Sequence, residues 1–220
     1  MGRKTKAGFI RYAGCVGVKV NDVDKVRSCP PELVFVALGA NLGDSKATIV
    51  QAARELQTFS DAPLLRSSLW ETSPVDCPPG TPAFINAVIG LLPRVTETPE
   101  TLLPRLQFME RAFGRQPKKI LNESRPLDLD LIMFQNQVRS TQQLTLPHPR
   151  AHLRRFVLQP LNQIAPELIL PGQSKTVNEL LEDLPGDELM KDIRSRFFFE
   201  DQPHHAEIRD GDGSGRDGDT

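Results

Sequence analysis

The chain has 220 residues, 39% of them hydrophobic and 25% charged, with a formal net charge of −1, which is the balance of a water-soluble globular domain with tails. That charge excludes a polyanion-coating nucleic-acid binder, and no apolar stretch approaches the ~18 residues that a membrane span requires. The three cysteines, Cys15, Cys29 and Cys77, are widely spaced and form neither a CxxC pair nor a zinc pattern, so reduced thiols in a cytoplasmic protein are expected, not a disulfide framework.

Residues 1–31 are basic up to Asp22 and lack an apolar core segment. They read as a flexible extension, a targeting segment or the product of an upstream start. The run LVFVALG (33–39) is short, β-rich and closed by glycine, which predicts a buried strand. Asp44 or Ser45 is a suitable cap for a helix over about 46–59, with Ile49, Ala53, Leu56 and Phe59 on one face. LLRSSLWETS (64–73) predicts a second strand. PVDCPPGTP (74–82) is too rich in proline and glycine for regular structure and reads as a loop. AFINAVIGLL (83–92) predicts a third strand. Thr98-Pro99-Glu100 has the cap, first-position proline and early acid of a helix start. Leu102, Leu106, Met109 and Phe113 then keep helical spacing to a stop at Gly114. Pro104 either moves that start to Thr101 or kinks the first turns.

A basic loop (115–125) leads into RPLDLDLIMF (125–134), where two aspartates sit in an otherwise apolar run. On a strand, side chains alternate faces, so Asp128 and Asp130 point the same way with Cα atoms roughly 7 Å apart. Leu127, Leu129, Leu131 and Met133 are expected on the opposite, core face. Adjacent carboxylates repel, and either one takes a proton or a cation sits between them. Magnesium commonly uses one or two carboxylates together with substrate phosphates. A bare Asp-x-Asp is more often a solvated surface pair, but the continuous apolar run argues against a half-exposed strand. A turn at QNQ, a short strand near 144–146 and a helical piece interrupted near Pro160 follow. The far end, HHAEIRDGDGSGRDGDT (204–220), is rich in glycine and aspartate and predicts disorder. The expected organisation is an extension (1–31), one domain (32–188) and a tail (189–220). The order β-α-β-β-α-β argues an α+β layered fold with a mainly antiparallel sheet.

Cations gather around the aspartates: Arg115, Arg125, His148, Arg150, Arg154 and Arg155. Arginine forks match phosphate oxygens, and a histidine between two prolines is held in one position. Carboxylates for Mg²⁺ with arginines and a histidine for phosphates are the parts of phosphoryl transfer.

These motifs resemble those of the 6-hydroxymethyl-7,8-dihydropterin pyrophosphokinases of folate biosynthesis. The resemblance is carried, in order, by VFVALGANLGD (34–44), WETSPVDCPPGTPAFINAV (70–88), QFMERAFGR (107–115), and RPLDLDLIMF with LTLPHPRAHLRRFVLQPLNQIAPEL (125–168). It implies a ferredoxin-like α+β sandwich and transfer of pyrophosphate from ATP to the hydroxymethyl pterin by a monomer. It implies that Asp128 and Asp130 hold two Mg²⁺ ions, with Arg115, Arg125 and Arg154 as catalytic cations. Gln107, Glu110, Leu131, Thr145 and His148 fall at ATP positions. Thr72, Pro74, Val75, Phe84, Asn86 and Phe156 fall at pterin positions. Independently, a flat heterocycle wants aromatic faces and an amide to read its edge, and Phe84 and Asn86 share a strand face. Familiar members carry an aromatic residue where this chain has Asn122, and arginines where it has Pro117 and Gln143. The alternative reading is a non-catalytic pterin- or nucleotide-binding protein on the same fold.

Overall fold

The computed structural model describes residues 32–74, 77–116, 123–186 and 190–193. The chain runs β1 (Val34–Ala40), α1 (Ser45–Gln57), β2 (Leu65–Arg66), β3 (Leu69–Thr72), β4 (Phe84–Leu91), α2 (Pro99–Ala112), β5 (Asp128–Phe134), β6 (Arg139–Ser140), β7 (Thr145–Leu146), α3 (Arg155–Ile164), α4 (Val177–Asp183) and β8 (Met190–Ile193). The main sheet is antiparallel in the order β5-β1-β4-β3-β8, with β2 on β4. The order β5-β1-β4-β3 with α1 and α2 on one face is the expected ferredoxin-like unit, and α3 and α4 cover its other face. Val36, Leu38, Leu129 and Leu131 meet Ile49, Leu56, Leu102 and Leu106 of α1 and α2 on one face. Phe35, Val88 and Ile132 meet Val157, Leu161 and Leu180 of α3 and α4 on the other.

Local chemistry accounts for the helix starts. The Asp44 side chain accepts from Ala47 N–H at 3.0 Å, which satisfies an orphan donor of α1. Thr98 and Thr101 form a reciprocal capping box on α2, with Pro99 in its first turn. Pro104 neither moves that start nor ends the helix. It lacks only the bond to the carbonyl of Glu100, an exposed first-turn residue that water can serve.

Three sequence expectations are corrected, and two elements were not foreseen. The second strand is split into β2 and β3, because Ser67 and Ser68 insert a bulge. Ser67 Oγ accepts from Val88 N–H at 2.9 Å, and Gln163 Oε1 accepts from Ser68 N–H at 2.8 Å. Pro160 does not interrupt α3, since the bond it forfeits belongs to the first turn of that helix. Met133 does not share a face with Leu131. A register shift opposite Phe35/Val36 places Ile132 and Met133 together on the α3 side. Finally, α4 and β8 carried no sequence expectation, and β8 pairs with β3 inside the stretch read as tail.

Candidate active site

Three rungs of the sheet build the site. Asp128 pairs with Gly39, Gly39 with Asn86, and Asn86 with Trp70, so these residues share one face. Asp130 stands opposite Ala37 on that same face. α3 packs there from Val157 onward, against Val88. The carboxylate pair is therefore displayed as expected. Leu127, Leu129 and Leu131 fill the core behind it.

Arginines bracket the pair. Arg115 Nη1 lies 2.8 Å from Asp128 Oδ1 and Arg125 Nη1 lies 3.0 Å from Asp128 Oδ2. Arg154 Nη1 lies 3.9 Å from Asp130 Oδ2. Burial, then the neighbouring Asp128 carboxylate, push the Asp130 carboxyl above its ordinary range, against His148, Arg154 and Arg125. Burial lowers the pKa of His148, against the pull of Asp130. Its Nδ1 accepts the Arg150 N–H at 3.2 Å, which leaves the ring proton of the neutral form on Nε2. Arg125 Nε is buried with no hydrogen-bond partner among the described residues.

Glu110 anchors Arg115. It is buried, pairs with Arg115, and its Oε1 accepts Leu129 N–H at 2.8 Å. Burial raises its pKa to about 7, against the Leu129 N–H and Arg115. Between its ordinary value of 4.5 and about 7 the folded protein keeps a proton that the unfolded chain has released. Rising pH through that window therefore destabilises the fold at this residue. In magnesium-free buffer, the melting temperature of the wild type is expected to fall more between pH 5 and pH 8 than that of Glu110→Gln. Parallel pH profiles would rule this origin out.

Leu129 also shows how the margin of the sheet is used. Its N–H goes to Glu110 and not to a strand, because β5 is the outer strand. α2, which carries Gln107 and Glu110, flanks that margin on one side. The segment from Thr145 to His148 flanks it on the other, where His148 N–H donates to Ile132 O at 2.8 Å. Gln107 and Thr145 are exposed, while the Leu131 side chain is buried in the core, away from the aspartate face.

Of the residues expected on the pterin side, Asn86 and Thr72 are buried, and Asn86 Nδ2 donates to Thr72 Oγ1 at 2.7 Å. Phe84 stands opposite Thr72 and is half-buried, as are Pro74 and Phe156. The Arg154 guanidinium lies 5.3 Å from the centre of the Phe156 ring, which joins the phosphate-side and pterin-side sets. Val75 lies outside the described residues, as do the departures at Pro117 and Asn122; Gln143 is exposed in the turn between β6 and β7.

Gly39 was missed as a site residue and read only as the end of a strand. A Cβ there would stand 3.2 Å from Asn86 Oδ1 and 3.9 Å from Asp128 Cβ. The bare backbone keeps open the passage between the carboxylates and the amide. Its only sequence signal was a glycine inside an apolar strand.

Arg154 follows the short 3₁₀ turn Ala151–Leu153 and fills no core space. Arg154→Ala is expected to shift the melting temperature by only about a degree or two, as for a surface truncation. Turnover is expected to fall about tenfold, or roughly 1.4 kcal/mol of transition-state stabilisation. Lost stability with full specific activity would make the residue structural.

A family model described as 7,8-dihydro-6-hydroxymethylpterin-pyrophosphokinase matches residues 35–166. The 2-amino-4-hydroxy-6-hydroxymethyldihydropteridine pyrophosphokinase of Synechocystis sp. is 36% identical over 149 residues, which cover 68% of this chain and 74% of that one. The Haemophilus influenzae protein of the same name is 32% identical over 158 residues, 71% of this chain and 96% of that one. Among solved structures, the Plasmodium falciparum HPPK-DHPS wild type with pteroate superposes with a TM-score of 0.54 at 14% identity. That match covers 68% of this chain and spans 42% of the longer Plasmodium chain, so it speaks to the fold alone.

Proposed function

This chain belongs to the 7,8-dihydro-6-hydroxymethylpterin-pyrophosphokinase family, and from that premise we propose how the site performs the transfer. The chain moves pyrophosphate from ATP to 6-hydroxymethyl-7,8-dihydropterin in folate biosynthesis. The hydroxymethyl oxygen attacks the β-phosphorus, the bond from that phosphorus to the oxygen of the α-phosphate breaks, and AMP leaves.

The observation that carries this reading is the rung Asp128–Gly39–Asn86. It sets a polyphosphate platform and a heterocycle-reading amide on one face, two strands apart with nothing but glycine between. Strands lie about 4.8 Å apart, so the two ends are separated by roughly 10 Å, which leaves room for a bound phosphate and a heterocycle side by side.

The donor set fits Mg²⁺. Among the described residues no three His, Cys, Asp or Glu side chains gather on one point. The protein therefore supplies a two-carboxylate platform that substrate oxygens complete, as hard Mg²⁺ sites with nucleotides commonly are. Asp128 and Asp130 would hold two ions, which neutralise phosphate charge when bound. Arg115 and Arg125, which pair with Asp128, would present their guanidinium forks to the phosphates, with the Nε of Arg125 as a further donor. Arg154 and the Nε2–H of His148 approach from the other side. The nucleotide lies along the open margin of β5, between α2 and the Thr145–His148 segment. Strand alternation turns the Leu131 peptide outward there, two residues beyond Leu129, so Leu131 contributes main chain and not side chain. The pterin lies over Thr72, Phe84 and Asn86, with Phe156 as the opposing face. Catalysis is alignment and charge neutralisation.

No described helix is long and apolar enough to cross a membrane. A cytoplasmic monomer is the state that this reading assigns. The test is AMP formation from ATP, Mg²⁺ and the hydroxymethyl pterin. Binding of both ligands without AMP would favour the non-catalytic alternative.

A further inference from the structure

Asn41 follows β1 directly, is buried, and has no part in the transfer described above. Its main-chain N–H donates to the Arg125 carbonyl at 3.2 Å, and its Oδ1 accepts the Arg125 N–H at 2.8 Å. The peptide of Arg125 is thus gripped from both sides by one residue. The same side chain donates through Nδ2 to Ser124 Oγ at 3.0 Å and reaches the Pro82 carbonyl at 3.4 Å. Pro82 closes the loop that enters the pterin strand β4. Ser124 and Arg125 close the loop that enters the aspartate strand β5.

We propose that Asn41 is the positioning residue that sets Arg125 on the phosphates and ties the phosphate-side loop to the pterin-side loop. This rests on the pyrophosphokinase reading of the site. Arg125 has a long side chain, and its aim depends on where its own peptide is held. No β-ladder partner is available there, because residue 125 precedes β5. The main-chain N–H and the side-chain Oδ1 of Asn41 together take over both halves of the missing ladder, and its Nδ2 donates back to the same loop at Ser124 and across to the other loop at Pro82. Its burial shields those bonds from water.

A purely structural staple would cost stability and slow every variant by the same factor. A residue acting through Arg125 loses its effect when that arginine is absent. The experiment is a double-mutant cycle on full-length protein, read as single-turnover AMP formation at saturating ATP, Mg²⁺ and pterin, which remains measurable in slow variants. Asn41→Ala is expected to slow the wild type about tenfold or more and the Arg125→Ala protein by less than about threefold. Ser124→Ala removes one tether at a half-buried site, and serves if Asn41→Ala does not fold. It is expected to slow the wild type about threefold and leave Arg125→Ala unchanged. Equal slowing in both backgrounds, or none in either, overturns the proposal. Absence of AMP from the wild type itself would overturn the reading of the site instead.

Discussion

Replacing either Asp128 or Asp130 by Asn is expected to cut turnover by about a thousandfold, equivalent to roughly 4 kcal/mol of transition-state stabilisation. Asn is isosteric, so the change removes charge and little else. At Asp128 it takes the partner from two guanidiniums at once, at 2.8 and 3.0 Å. Arg115 keeps Glu110 as a second partner, so the fold is expected to survive the loss. At Asp130 the change removes a carboxylate whose burial is otherwise a cost. That variant is expected to melt no lower than the wild type. The two substitutions therefore separate function from stability in opposite senses. Removing divalent cation with a chelator is expected to abolish AMP formation in the wild type, and added Mg²⁺ to restore it. Near-normal turnover of either variant in saturating Mg²⁺ would overturn the two-carboxylate platform.

Asn86→Ala and Phe156→Ala are expected to weaken pterin binding tenfold to a hundredfold, about 1.4–2.8 kcal/mol, while binding of an ATP analogue with Mg²⁺ hardly changes. Asn86 is buried, and its Nδ2 is committed to Thr72 at 2.7 Å. That bond holds the side chain in one rotamer and leaves its Oδ1 as the group that faces Gly39. Truncation leaves the polar edge of the ring, and Thr72 as well, without a partner. Phe156 is only half-buried, at the border of the α3 core. Its removal should cost less stability than the ~3–5 kcal/mol of a buried aromatic. Stacking adds about 0.5–1.5 kcal/mol to area burial for each ring face. Titration of each variant with each ligand separately is the measurement. Equal loss of both ligands, or a large fall in melting temperature with both affinities intact, would return Phe156 to the core.

Much of this molecule was legible in the sequence, because its evidence is local. Apolar runs bounded by Gly and Pro marked the strands. Asp44 and Thr98-Pro99 marked the helix starts, since capping joins residues three apart. Two aspartates at a spacing of two must share a strand face, whatever the strand pairs with. The motifs that follow one another from residue 34 to residue 168 carried the family.

What tertiary structure alone decided depends on pairings across long separations. The register that puts Gly39 between Asp128 and Asn86 joins residues 128, 39 and 86, and a slip of one residue would have turned each to the other face. The bulge that moved Met133 away from Leu131 is likewise set by the partner strand, which alternation along one segment does not reveal. Pro104 was expected to move or kink a helix start and Pro160 to interrupt a helix, yet each falls where the bond it forfeits belongs to a first turn, and packing holds the rest of the helix. Asn41 carried no reading of its own in the sequence beyond its place in VFVALGANLGD. Only the meeting of residues 41, 82, 124 and 125 gives its amide anything to hold, because hydrogen-bond partners are chosen by distance in space and not by distance along the chain.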